Sequence, residues 1–197
     1  MKGEGILLDH RGGRRVAARL MDGRLDDLLV EPAPDGPPPP GTIYRAKVDR
    51  LVKGQGGVFL ALPDGSAFLR GQHGLSQGDT VLVQVTGYAE AGKAVPVTNR
   101  PLFKSKYAIV TPGAPGINIS RSLRDEERRV ELRLAAEEAD LPDGAGLILR
   151  SQAGQADHAA LQEDIAAMCD VAHAILAETT GAPECLLDGP DAHHLAW

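Results

Sequence analysis

Between Thr42 and Thr98 five short runs of alternating residues succeed one another with little but Gly, Pro or Asp turns between them. That punctuation excludes helices of ordinary length and leaves a small, all-strand unit. The runs are Thr42–Lys53, Gly56–Leu62, Ser66–Arg70, Thr80–Ala89 and Lys93–Thr98. Val81, Val83 and Val85 alternate with Leu82, Gln84 and Thr86, while Ile43, Arg45 and Lys47 alternate with Tyr44, Ala46 and Val48. One face reads as apolar and the other as basic. Five strands in about 60 residues fit an OB-type barrel, with an SH3-like barrel as the alternative.

The flanks of this unit differ from it. Pro32-Ala-Pro-Asp-Gly-Pro-Pro-Pro-Pro40 precedes it, and prolines without an N–H cannot join a sheet interior, so this extended segment marks a domain boundary. Before it stand three strand-like runs, Gly5–Asp9, Arg15–Met21 and Leu25–Glu31; Asp22-Gly23 joins the second to the third as a hairpin turn. After the barrel come a strand Tyr107–Val110, a Pro/Gly loop to Gly116 and the run Ile117–Arg121. A helix follows over Asp125–Ala139, with Val130, Leu132 and Leu134 among its apolar positions. Gly146–Leu149 is a continuous apolar run of the kind buried on both faces, and Arg150 and Ser151 emerge from its end. An Ala-rich helix from Asp157 to Thr180 ends at the stop signals Gly181 and Pro183. The pattern predicts an α+β protein.

The net charge of −6 argues against a polyanionic partner until its distribution is read. Residues 41–106 carry nine Lys or Arg (Arg45, Lys47, Arg50, Lys53, Arg70, Lys93, Arg100, Lys104, Lys106) against Asp49, Asp64, Asp79 and Glu90. Residues 151–197 carry eight carboxylates and no Lys or Arg. The middle attracts a polyanion while the final quarter repels one.

Phe59 and Phe68 fall on adjacent predicted strands, where a hairpin sets their rings together as a platform for unstacked bases of single-stranded RNA. The competing reading puts both in the barrel core. Lys93, Arg45 and Lys47 are candidates for backbone neutralisation, Lys93 as a phosphate contact. Arg121, and Arg150 with Ser151, stand at the ends of two predicted strands beside Gly-rich turns. Guanidinium forks and a hydroxyl there suit a phosphate, with surface ion pairing as the alternative.

Other features carry less. Cys169 and Cys185 have neither metal-ligand nor disulfide spacing, which fits inert thiols in a reducing cytoplasm. His193 and His194 are adjacent and point apart on a strand, so no metal site is expected, and no carboxylate pair stands out for magnesium. Gly54-Gln55-Gly56-Gly57 lacks the context of a dinucleotide fingerprint, and the apolar run at Ile6-Leu-Leu8 is far too short for a signal peptide or membrane span. The residues describe a binder before a catalyst.

In order and wording these segments resemble the amino-terminal half of the ribonuclease E and ribonuclease G family of bacterial endoribonucleases. Gly41-Thr-Ile-Tyr-Arg-Ala-Lys47, Gly57-Val-Phe59 and Ala67-Phe68-Leu69 are similar to the family's S1-type RNA-binding domain. Ile119-Ser-Arg121 and Gly146-Leu-Ile-Leu-Arg150-Ser151 are similar to its 5′-sensor segments. The resemblance implies that Phe59, Phe68 and Lys93 contact RNA and that Arg121, Arg150 and Ser151 hold a 5′-terminal monophosphate, Ser151 replacing the usual threonine.

It also implies four regions. Residues 1–38 would open an RNase H-like subdomain, 39–101 form the S1-like OB barrel, 102–182 the α/β 5′ sensor, and 183–197 a truncated return to the RNase H-like part. The family's magnesium-binding aspartates and cysteine link would lie beyond Trp197, so no catalytic residue and no cofactor is expected in this chain, magnesium belonging to the complete enzyme. Single-stranded RNA is the expected partner, with no membrane. The incomplete first subdomain would leave an unpaired edge open to self-association. Leu62, where the family often has tyrosine, and Lys104 and Ala108 near the 5′ pocket depart from the pattern. A non-catalytic S1-type RNA-binding regulator and an RNA-independent scaffold are the other readings.

Overall fold

The computed structural model describes residues 3–33, 36–52, 56–71, 74–90 and 92–196. Lys53, Gly54, Gln55 and Trp197, which entered the sequence reading, lie outside the described residues.

Strands β4 (Ile43–Val52), β5 (Gly57–Leu62), β6 (Gly65–Arg70), β7 (Thr80–Val85) and β8 (Val95–Thr98) run β4-β5-β6-β8-β7 and close by pairing β7 back onto β4. The β6–β8 pair is parallel and the rest are antiparallel, the five-stranded Greek-key closure of an OB-like barrel. Its interior is almost wholly branched aliphatic, with Val48, Val58, Leu60, Leu69, Val83 and Val85 each at most 2% exposed. The seventh and eighth strands are shorter than the runs Thr80–Ala89 and Lys93–Thr98 predict.

Before the barrel, β1 (Glu4–Arg11), β2 (Arg14–Met21) and β3 (Arg24–Val30) form an antiparallel meander that turns at Asp22-Gly23, as the dipeptide predicts. Among the described residues the outer edges of β1 and β3 pair with no further strand. One face bears Leu7, Leu25, Leu28 and Val30, all at least 45% exposed. The other buries Ala17, against which α3 (Ala192–Leu195) packs. Asp191 caps α3 through the His194 amide and pairs with Arg15 at 3.1 Å. Burial opposes ionisation of Asp191, yet the amide and ring of His194, with Arg15, hold its carboxyl below the ordinary range.

After the barrel, β9 (Phe103–Lys104), β10 (Ala108–Thr111), β11 (Gly116–Ile119) and β12 (Gly146–Leu149) make a sheet of order β11-β12-β10-β9. Helices α1 (Glu126–Glu137) and α2 (His158–Ala177) cover it. Asp125 caps α1 and Asp157 caps α2, each taking the amide three residues on, so both helices start where the sequence predicts. The buried stripe of α1 is Leu132, Ala135 and Ala136; Val130 and Leu134, read as apolar-face positions, are 59% and 58% exposed. Leu132, Ala135 and Ala136 follow the i, i+3, i+4 spacing of one helix stripe, whereas Val130 and Leu134, each two residues from Leu132, fall on the opposite side.

The last strand, β13 (Glu184–Leu187), pairs antiparallel with the first residues of β4. Residues near the end of the chain thus extend the barrel's own sheet before α3 reaches the meander. Ile43 of β4 accordingly belongs to the α/β core and not to the barrel interior. Its neighbour Arg45, 6% exposed, donates Nε to the Ala182 carbonyl at 2.9 Å and pairs with Glu178 at 2.6 Å and with Glu184. Gly181, with φ of +126°, packs so near that a Cβ there would lie 3.0 Å from the Arg45 guanidinium carbon.

Arg45→Ala removes every one of these contacts. We expect a loss of about 2 kcal/mol, discounted because both carboxylates remain solvated, read as a lower urea midpoint with an unchanged slope.

Candidate functional site

Two surfaces gather the residues singled out by the sequence. The first is the outside of the barrel across β4, β5, β6 and β8. Val58 and Leu60 point inward, so alternation turns Phe59 outward, half-buried, and the register sets it directly opposite Phe68. The ring centroids are 5.2 Å apart with planes at 57°. The core reading of these two residues therefore falls, since the barrel interior is filled by aliphatic side chains without them.

The row continues on both sides. Arg50 pairs with Phe59 across β4 and β5, its guanidinium carbon 4.5 Å from the ring centroid, and Pro96 pairs with Phe68 across β6 and β8. Arg50, Phe59, Phe68 and Pro96 form one line across four strands, about 14 Å long at normal strand spacing. Lys47, exposed, sits in the next row beside Ala61 and Ser66. No carboxylate stands in either row.

Sequence alternation missed Arg50 because it places that residue on the same side as Ala46 and Val48, inside the barrel. A β-bulge between Val48 and Arg50 reverses the parity and brings Arg50 out beside the rings. Gly57 was also missed as a site residue. A Cβ there would fall 2.2 Å from the Phe68 Cζ, so the ring lies across the glycine.

Arg45 is not on this surface. It leaves the barrel on the same side of β4 as Lys47 but is buried there in the clasp with Ala182, Glu178 and Glu184, which corrects its reading as a cation facing RNA. Lys93 lies in the loop before β8, its side chain 67% exposed and its amine 2.6 Å from the Glu90 carboxylate.

The second surface is one end of the α/β sheet. Strands β11 and β12 are parallel with Ile119 opposite Leu149, so Ser120-Arg121 and Arg150-Ser151 leave the sheet side by side. The Ser120 amide reaches the Leu149 carbonyl at 2.9 Å. Strand β10 is antiparallel to β12, which brings the β9–β10 turn, Ser105 to Tyr107, to the same end. There Arg150 Nη1 donates to the Ser105 carbonyl and the Arg150 amide to the Tyr107 carbonyl. Ser151 begins a short 3-10 helix, Ser151–Gln155, that packs under the loop after β11, a Cβ at Gly154 falling 2.4 Å from Leu123 Cδ2.

Two further arginines build this end rather than serve it. Arg128 donates to the carbonyls of Ala153 and Ala156, and Arg129 to those of Ser120 and Leu123. Asp164 from α2 takes the Ser105 hydroxyl and the Tyr107 amide at 3.1 Å, fixing the turn. Arg121 is exposed, and the surroundings provide guanidinium, hydroxyl and amide groups of the kind that coordinate a phosphate.

The shifted ionisable groups lie elsewhere. Burial, with Cys185 and Asp188 nearby, pushes the Tyr44 phenol up to about 12. Burial also raises the thiols of Cys169 and Cys185, which keeps both in the weakly nucleophilic protonated form at neutral pH. Among the described residues no three His, Cys, Asp or Glu side chains converge to hold a metal ion, and no helix is long and apolar enough to cross a membrane.

Residues 103–195 match the family model described as Ribonuclease E/G family. Among curated proteins, Ribonuclease E of Synechocystis sp. (strain ATCC 27184 / PCC 6803 / Kazusa) is 28% identical over 168 residues, which is 77% of this chain and 24% of that protein. Ribonuclease E of Haemophilus influenzae (strain ATCC 51907 / DSM 11121 / KW20 / Rd) is 27% identical over 170 residues, 74% of this chain and 18% of that protein. The chain thus spans a quarter or less of the length of these curated relatives.

Gly57→Ala is expected to push the Phe68 ring off its seat while leaving the barrel folded. Loss of the Phe59–Phe68 ring-to-ring NOEs, with backbone amide shifts otherwise kept, is the result that checks it.

Proposed function

We propose that the chain is a member of the ribonuclease E/G family and is the RNA-binding and 5′-monophosphate-sensing portion of an endoribonuclease acting in RNA processing and decay, a reading supported by its match over residues 103–195 and its likeness to two proteins named Ribonuclease E. The observation that carries this reading is the outward row Arg50–Phe59–Phe68–Pro96. It offers two rings for stacking and a guanidinium beside them, in a row of paired residues that holds no carboxylate. Lys47 and Lys93 add charge at its border for the sugar–phosphate backbone.

At the sheet end, Arg121, Arg150 and Ser151 would take the terminal phosphate. Arg150 is oriented by its bond to the Ser105 carbonyl, so its planar fork is held in place before an anion arrives. The four regions expected from the sequence are part of this proposal: meander, barrel and α/β sensor, with β13 and α3 as the start of the returning segment. Hydrolysis is assigned to the family's complete enzyme.

Phe59→Ala or Phe68→Ala should weaken binding of a short single-stranded RNA by roughly 5- to 150-fold each, from about 1–3 kcal/mol per stacked base. Lys47→Ala should instead lower the salt dependence, reducing the slope of log K against log salt by about 0.7. Fluorescence anisotropy across a salt series separates the two effects. The same assay with 5′-monophosphate and 5′-hydroxyl RNA tests the sensor. A monophosphate preference that disappears in Arg150→Ala supports it, whereas equal binding by the wild type leaves a general RNA-binding barrel, the non-catalytic regulator reading.

A further inference from the structure

Two exposed cations of β4, Lys47 and Arg50, are set differently. Lys47 pairs with Ala61, in a row continued by Ser66, so its cross-strand neighbours are small. Arg50 pairs with Phe59, and its guanidinium lies over that ring, the carbon 4.5 Å from the centroid. Among the described residues the Arg50 side chain makes no ion pair and no hydrogen bond, not even with its exposed neighbour Asp49. Its donors are free while its position is fixed by the ring.

The backbone of β4 produces that contact. Asp49 is the extra residue of the bulge, opposed by nothing on β5, and without it Arg50 would fall on the side of Val48, inside the barrel. Strand β7 pairs with β4 only as far as Lys47, so at Arg50 no further strand continues the sheet among the described residues. A base arriving at this end of the row meets the exposed guanidinium before the half-buried ring it lies over.

An ammonium is a compact, strongly hydrated point charge that suits a phosphate, whereas a guanidinium is planar and weakly hydrated and stacks through its face on rings and bases. The attraction of the ring for the cation also restricts a long side chain before any ligand arrives, which lowers the ordering cost of binding. Resting on the RNA-binding reading above, we infer that Arg50 is a base-stacking residue. Its guanidinium face, backed by the Phe59 ring, is the surface on which one unpaired base of single-stranded RNA lies, while Lys47 serves the sugar–phosphate backbone. Arg50 and Phe59 act as one platform and Phe68 as the next.

The test compares, on the full chain, a short single-stranded RNA with an abasic strand of the same length and charge, read by fluorescence anisotropy across a salt series. Arg50→Lys keeps the charge and removes the plane, and because the residue is exposed it leaves the barrel interior untouched. The expected result is a loss of about fivefold or more on the intact RNA, less than about twofold on the abasic strand, and an unchanged salt slope. Adding Arg50→Lys to Phe59→Ala should cost less than about twofold beyond Phe59→Ala alone, since removal of the ring already unseats the guanidinium. A smaller loss for Arg50→Lys on the intact RNA overturns the inference, because charge then suffices. Equal losses on the two strands overturn it in favour of a bidentate phosphate contact, and additive losses in the double variant overturn the shared platform. In these three cases the wild type still prefers the intact RNA, and the RNA-binding reading stands. A wild type that binds the intact RNA no better than the abasic strand overturns the role of the aromatic row and the inference together.

Discussion

Strand β4 belongs to two cores at once, and the arrangement of the rest follows from that. Its later residues, Ala46 and Val48, close the barrel, while Ile43 at its start is buried among the side chains of the α/β unit. Along one side it pairs first with β13 and then with β5, and along the other with β7. A strand pleated into two packed interiors cannot rotate in one without disturbing the other. Arg45 secures the junction on the side facing α2, where a buried guanidinium meets a carbonyl and two carboxylates. The aromatic row on the barrel and the cationic end of the sheet are therefore held by one continuous framework.

The two surfaces collect positive charge by different devices in a chain whose net charge is −6. On the barrel, cross-strand register does it: rows of paired residues place Arg50 and Lys47 among small and aromatic neighbours. At the sheet end it is topology, since a parallel pair and an antiparallel pair bring three loops to one edge. Two carboxylates near that edge, Asp125 and Asp164, are taken up by a helix cap and by a turn amide and hydroxyl, so they add order there.

Much of this was legible in the residues. The barrel strands, the Asp22-Gly23 turn and the caps Asp125 and Asp157 follow from local rules of alternation, turn chemistry and capping, and the structure agrees with them. The outward pairing of Phe59 and Phe68 was one of two readings that alternation allowed. Arg50 was hidden because one extra residue in β4 inverts its face, and a bulge leaves no mark in a period-two pattern. Arg45 was misread because it has the same periodicity as an exposed cation; only β13, which arrives 139 positions later with Glu184, buries it. Val130 and Leu134 misled for the reverse reason, being apolar residues on a helix face that nothing among the described residues covers.

The dependence of the meander on α3 bears on how the chain acquires its structure. Its strands pair locally and so form early, yet the face around Ala17 is covered only when α3 docks, joined by His193 to the Asp9 carbonyl across 184 positions. Closing so long a loop is slow relative to hairpin formation, though the entropy it costs grows only logarithmically with length. The strands of the meander are thus made well before the helix that covers their Ala17 face. The barrel, whose strands are complete by Thr98, can fold before that and present the edge of β4 on which β13 later pairs.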